Sequence, residues 1–213
     1  MSRVIFILIL SLISFSVKGQ KYLTTNLIEK AESHLKEAVG DSLFGYFQLD
    51  PNSYYQYRTK SGKVKWEKIG KRKYTKGDFV NGKQIVFVLD HPDFDYKFVD
   101  KRIVLNLDSD LNLAQEIDLQ KIPDFLLKNR PSNWLTRSEL DEIIAQQDLN
   151  ISTTDPTVRL EFNSNDNHYY WIVFNTLNQE KCFSDQEILH IEPSSGKILK
   201  HYEERQFVLH CVE

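Results

Sequence analysis

The chain is poor in cysteine, glycine and proline, with 2, 8 and 6 of them among 213 residues. Two cysteines are too few for a disulfide-stapled miniprotein, and eight glycines exclude a collagen-like repeat. An excess of one charge sign is missing too: Lys+Arg number 27 and Asp+Glu 30, a net charge of -3. With 41% apolar, 27% charged and 12% aromatic residues, the composition is globular and not that of a disordered chain. One large domain or two small ones fit. Catalytic signatures are absent as well: neither HExxH nor GxSxG occurs. Gly196-Lys197 lacks both the earlier glycine and the following hydroxyl residue of a phosphate loop, so it reads as a turn.

Long apolar runs are lacking, with one exception at the start. Arg3 precedes Val4 to Val17, interrupted only by Ser11, Ser14 and Ser16, and Lys18-Gly19-Gln20 follows. A charged residue, an apolar run and a small residue at the exit describe a secretory signal peptide over residues 1–19. Cleavage between Gly19 and Gln20 leaves a charge near -5. A transmembrane helix needs about 20 apolar residues, so an uncleaved anchor is the weaker reading, and no stable membrane span is expected after cleavage. The run holds no cysteine to carry a lipid. The expected location is secreted or periplasmic. There Cys182 and Cys211 either form a disulfide or stay as free thiols. Their bond would close a loop of 30 residues. Such a loop is worth roughly 3–4 kcal/mol in the chain-entropy account.

Periodicity organises the remainder. Leu23, Leu27, Ile28, Ala31, Leu35, Ala38 and Val39 recur at spacings of three and four, which predicts an amphipathic helix, with Asn26 and Glu29 as a capping box and Gly40 at its end. Strands are predicted over Phe44 to Leu49, Tyr54 to Arg58, Val64 to Ile69, Ile85 to Leu89 and Arg102 to Leu107. Asp50-Pro51-Asn52, Ser61-Gly62 and Asn81-Gly82 are read as the turns between them. The pattern breaks around Pro123 and Pro131, where a linker over 114–131 with one helical turn is placed. A second helix opens with Thr136 and Glu139 as a capping box. Val158, Leu160 and Phe162 then alternate with polar residues, Tyr169 to Phe174 forms a strand, and Ile188 to Ile191 with Lys197 to Tyr202 makes a hairpin. The expected fold class is α+β: two tandem modules, 20–113 and 132–213, each a helix on an antiparallel meander. A shift of 84 lays Ile85-Val86-Phe87-Val88 on Tyr169-Tyr170-Trp171-Ile172 and Leu105-Asn106-Leu107-Asp108 on Leu189-His190-Ile191-Glu192, a weak internal repeat.

The second module resembles the PepSY domain. The likeness rests on a capped helix, the aromatic strand Tyr169 to Val173, and the hairpin Ile191-Glu192-Pro193-Ser194-Ser195-Gly196-Lys197-Ile198-Leu199. Glu192 stands where that family commonly has Asp and Ser195 where it has Thr, replacements that keep hairpin-turn chemistry. The first module would be a divergent copy, its Leu107-Asp108-Ser109-Asp110 lacking the glycine. The resemblance implies a cystatin-like layout and a secreted or tethered regulatory module that binds or inhibits a peptidase. It brings no catalytic residues, and the Gln-x-Val-x-Gly inhibitory sequence of cystatins does not occur.

The sharpest anomaly is residues 58–83, where ten cations meet only Glu67 and Asp78, a local charge near +8 in an otherwise acidic chain. This predicts a dipolar protein whose basic patch suits an acidic envelope component or protein partner. The bland alternative is the solvated face of an exposed hairpin. Aromatic residues interleave with the cations, but export removes nucleic acid as a partner. Candidate binding residues are Trp66, Lys71, Arg72 and Lys73 in this stretch and Tyr169 and Trp171 in the aromatic strand, the latter pair being weighed against packing. Asp108, Asp110 and Asn112 have the first spacings of a calcium loop but lack its Gly and closing Glu, and His190 with His201 lacks a third zinc ligand, so no metal or cofactor is expected. Asn150-Ile151-Ser152 matches a glycosylation sequon. The leading expectation is a non-enzymatic binding protein with an unidentified protein or peptide partner. A structural accessory subunit of an envelope assembly is the second reading, and a hydrolase using scattered carboxylates such as Asp108, Asp110 and Glu192 the third.

Overall fold

The computed structural model describes residues 20–207. The expected signal peptide and Cys211 lie outside the described residues. The fold is α+β with antiparallel sheets. Its elements are α1 (Thr24–Phe44), β1 (Phe47–Leu49), β2 (Tyr54–Arg58), β3 (Val64–Lys68), β4 (Asp78–Leu89), β5 (Arg102–Leu107), α2 (Asp124–Leu127), α3 (Arg137–Ala145), β6 (Thr157–Asn163), β7 (His168–Gln179), β8 (Phe183–Ile191) and β9 (Ile198–Phe207). The chain forms two compact units. Among the described residues, one takes the chain up to Ala38 with Leu49–Phe87 and Ile103–Ile117; the other takes Val39–Gln48, Val88–Arg102 and residues from Asp118 onward.

In the first unit the predicted helix is present, and Leu27, Ala31 and Leu35 are fully buried at the predicted spacing. It begins at Thr24, two residues before the expected cap, because the Thr24 amide and hydroxyl are already engaged by the carbonyls of Lys73 (3.0 Å) and Arg72 (2.6 Å). The helical rod breaks at Gly40, where the sequence ended it, but helix resumes to Phe44, so the strand expected from Phe44 begins only at Phe47. The sheet runs β1-β4-β2-β3, with β5 also on β4. Its core is aromatic and aliphatic: Tyr55, Tyr57, Phe79, Ile85, Phe87, Leu105 and Leu107 are all buried. Asn81-Gly82, read as a turn, lies inside the 12-residue β4. The reason is local packing: a side chain at 82 would press on Ile85 and Leu107, so the glycine serves close approach instead of reversal. Buried Ser53 links β2 to β4 by accepting from the Val86 amide at 3.0 Å.

The second unit is organised by the four-stranded antiparallel meander β6-β7-β8-β9. Its strands outrun the sequence expectation, β7 reaching 12 residues and β9 10. The capping box of α3 is present: the Glu139 amide donates to the Thr136 hydroxyl, and the Thr136 amide to the Glu139 carboxylate at 2.7 Å. The hairpin chemistry read around Glu192 is also present. The Glu192 carboxylate accepts from the Ser195 amide at 2.7 Å and the Ser194 hydroxyl at 2.8 Å, while Gly196 turns at φ 72 directly against Ile143 of α3, where no side chain fits. Ile122, Phe125 and Leu126, in the stretch read as a linker, are buried.

Candidate anion-binding cleft

The β2–β3 hairpin pairs Tyr57 with Lys65 and Arg58 with Val64, and facing residues share a side of the sheet, so Lys65 stands beside the buried Tyr57 ring. The loop between the strands is closed by the Thr59 amide on the Lys63 carbonyl (2.9 Å) and the Lys63 amide on the Thr59 hydroxyl (3.1 Å), which fixes the position of Lys60. On the other side, β4 sets Asp78 opposite Arg58. Gly77, at φ 70, passes so close to the Arg58 carbonyl and the Tyr57 ring that a side chain there would collide with both. The Lys76 amide donates to the Tyr55 hydroxyl at 2.9 Å. Finally, the start of the described chain is tied to this segment: Tyr22 and Thr75 exchange hydrogen bonds, and the Phe79 amide reaches the Gln20 carbonyl at 3.0 Å. Lys21 is thereby carried to the same place.

These constraints enclose an open cleft of about 390 Å³, lined by the cations Lys21, Arg58, Lys60, Lys65 and Lys76, by Tyr57, Thr59 and Gly77, and by one carboxylate, Asp78. Lys76 is partly neutralised, lying 3.6 Å from Glu67 and over the Tyr57 ring. Lys21, Arg58, Lys60 and Lys65 take part in no ion pair among the described residues. Five cations against the single lining carboxylate Asp78 leave a local positive potential that an incoming anion relieves. Ammonium and guanidinium groups together suit carboxylate, phosphate or sulfate oxygens.

The residues singled out in the sequence lie elsewhere. Trp66 faces Gln56 on the opposite side of the hairpin from Lys65 and is 46% exposed. Lys71 is ion-paired with Glu67 at 3.6 Å, and Lys73 lies over the Tyr74 ring. Arg72 and Lys73 hold the start of α1 through their carbonyls. None of the four lines the cleft. Charge density found the stretch, but only strand register separates the convergent cations from the dispersed ones. Lys21 had no local signal at all.

In the second unit Tyr169 and Trp171 are core residues. Tyr169 packs with Phe94, Trp134 and Phe162 and donates its hydroxyl to the Lys121 carbonyl at 2.8 Å. Burial, with the Asp100 charge, raises its pKa well above the ordinary tyrosine value. Trp171 is 6% exposed and meets Tyr96 edge-on at 5.3 Å. His190 and His201, read as facing each other, are on opposite sides of the sheet, because β8–β9 register pairs His190 with Lys200 and His201 with Leu189. His201 instead reaches the buried Glu187 at 2.7 Å, which also accepts from Asn175 (2.8 Å) and the Asn150 amide (2.9 Å). Burial works to raise the Glu187 pKa, but these donors outweigh it and leave the group below the usual carboxylate value. Asp108 accepts from the amides of Asp110 (2.8 Å) and Asn112 (2.9 Å), so the calcium-like spacing is a hydrogen-bonded turn. Cys182 is half-buried and has no disulfide partner among the described residues.

No family model, no curated protein and no solved structure matches the chain. No helix among the described residues is long and apolar enough to cross a membrane.

Proposed function

We propose that the chain is an exported, non-catalytic binding protein, built of PepSY-like modules, that captures an acidic protein or peptide partner in the basic cleft of its first unit. The observation that carries this reading is the convergence of Lys21, Arg58, Lys60 and Lys65 on one open cleft with no ion-pair partners among the described residues. The cleft is open and its cations stand on a registered hairpin, which suits a carboxylate-bearing chain laid across it. The two-module reading is supported by the pairing of β4 with β5 and of β7 with β8, the same strands that a shift of 84 superimposes in sequence. A peptidase remains the partner class that the PepSY resemblance suggests.

The test is calorimetric titration with a poly-glutamate peptide at low and physiological salt. The expected result is binding that weakens with salt and falls at least about tenfold in Lys60→Glu/Lys65→Glu. Binding unchanged by the double reversal would remove the cleft from the account.

A further inference from the structure

The meander of the second unit ends in β9, a 10-residue strand that contains neither proline nor glycine. Among the described strands it pairs with β8 alone, with one bulge at Leu199, so from Lys200 to Phe207 its other edge offers an unbroken row of backbone donors and acceptors. Leu199, Tyr202 and Phe207 on it are 43%, 39% and 54% exposed. Such an edge is a template for another strand unless something blunts it.

The side chains specify which strand. When two copies of one strand pair antiparallel about a two-fold axis, the axis passes through a facing pair of identical residues, and positions equally far on either side face each other. Centring on Lys200, Glu203 or Glu204 sets like charges face to face at the axis. Centring on His201 sets Lys200 against Tyr202 and Leu199 against Glu203, with no opposite charges matched. Centring on Tyr202 sets Lys200 against Glu204 and His201 against Glu203, each twice by symmetry, around a Tyr202 pair. Lys200 and Glu204 form no ion pair among the described residues, so both are available. His201 is held upright by Glu187, and Glu203 by Asn150 at 3.1 Å, which presents both in fixed positions.

We infer that β9 is a self-association edge: a second copy of this chain adds its own β9 antiparallel in the register centred on Tyr202, continuing the four-stranded sheet into an eight-stranded one across the two-fold axis.

The experiment is sedimentation equilibrium of the purified protein up to about 100 µM. The wild type is expected to dimerise reversibly. Lys200→Glu and Glu204→Lys should each weaken the dimer by about tenfold or more, since each replaces two attractive cross-strand pairs by repulsive ones. The double variant Lys200→Glu/Glu204→Lys, and an equimolar mixture of the two single variants, should recover wild-type association, because each restores opposite charges across the axis. In a Cys182→Ser/Cys211→Ser background, Tyr202→Cys should form a covalent dimer on mild oxidation, whereas Gln206→Cys, four residues from the axis, should not. A wild type that stays monomeric, single reversals without effect, or a double variant that fails to recover would overturn the inference. So would a monomer that instead takes up an added extended peptide along β9.

Discussion

The basic hairpin of the first unit and the Glu187 cluster of the second both hold charge next to buried aromatic or apolar residues, yet they are built in opposite ways. Glu187 is 2% exposed, and each donor around it is matched to an oxygen: Asn175, the Asn150 amide and His201. In the hairpin, Arg58, Lys60 and Lys65 are exposed and make no ion pair among the described residues, although Asp78 stands opposite Arg58. A satisfied buried charge fixes structure and has no capacity left for a ligand. Unneutralised convergent charges contribute little to folding and retain their capacity for one. Stability and the proposed binding should thus be separable by mutation.

The largest effects on stability should fall in the second unit. Trp171→Ala removes a buried indole from between Tyr96 and the sheet and should cost about 3–5 kcal/mol, read as a fall in the urea midpoint. Glu187→Ala takes away the acceptor of the Asn150 amide and one of the two acceptors of the buried Asn175 side-chain amide, and should cost about 1–3 kcal/mol. Tyr169→Phe deletes one hydrogen bond to the Lys121 carbonyl and should cost about 1 kcal/mol.

Acid sharpens the same contrast. Glu187 and Glu192 have folded-state pKa values below their ordinary value, so each contributes stability that is present above pH 4.5 and lost as pH falls through the folded value. Asp100 behaves likewise and more strongly, held down by Arg102 and Lys121 against the opposing effect of burial. Unfolding followed from pH 6 to pH 2 should therefore show a steady loss of stability, less steep in Glu187→Gln and Asp100→Asn. The smallest stability effect should come from Lys60→Glu/Lys65→Glu, within about 0.5 kcal/mol of wild type, although the same change is expected to reduce anion binding most.

Much of the architecture was legible in the residues because it follows from local rules. The spacing of Leu27, Ala31 and Leu35, the Thr136–Glu139 capping box and the Glu192-to-Gly196 turn each carry their own physical signal, and each is present. Asn81-Gly82 misled because glycine serves close approach as well as reversal, and only the packing of Ile85 and Leu107 distinguishes the two. The site was legible as a charge anomaly but not as a geometry. Whether Lys65 or Trp66 lines the cleft depends on which of them faces Tyr57, a one-residue matter of register. The convergence of Lys21 with Lys76 depends on hydrogen bonds spanning 53 residues of chain. His190 and His201 likewise separate onto two faces through register alone.

The central claim is that binding resides in the first unit's cleft and not in the aromatic strand. Its most direct test is an amide chemical-shift map during titration with hexaglutamate. Saturable shifts are expected at Arg58, Lys60, Lys65 and Gly77, with Tyr169 to Val173 unmoved. Shifts centred on Tyr169 to Val173, or none that saturate in the hairpin, would contradict it.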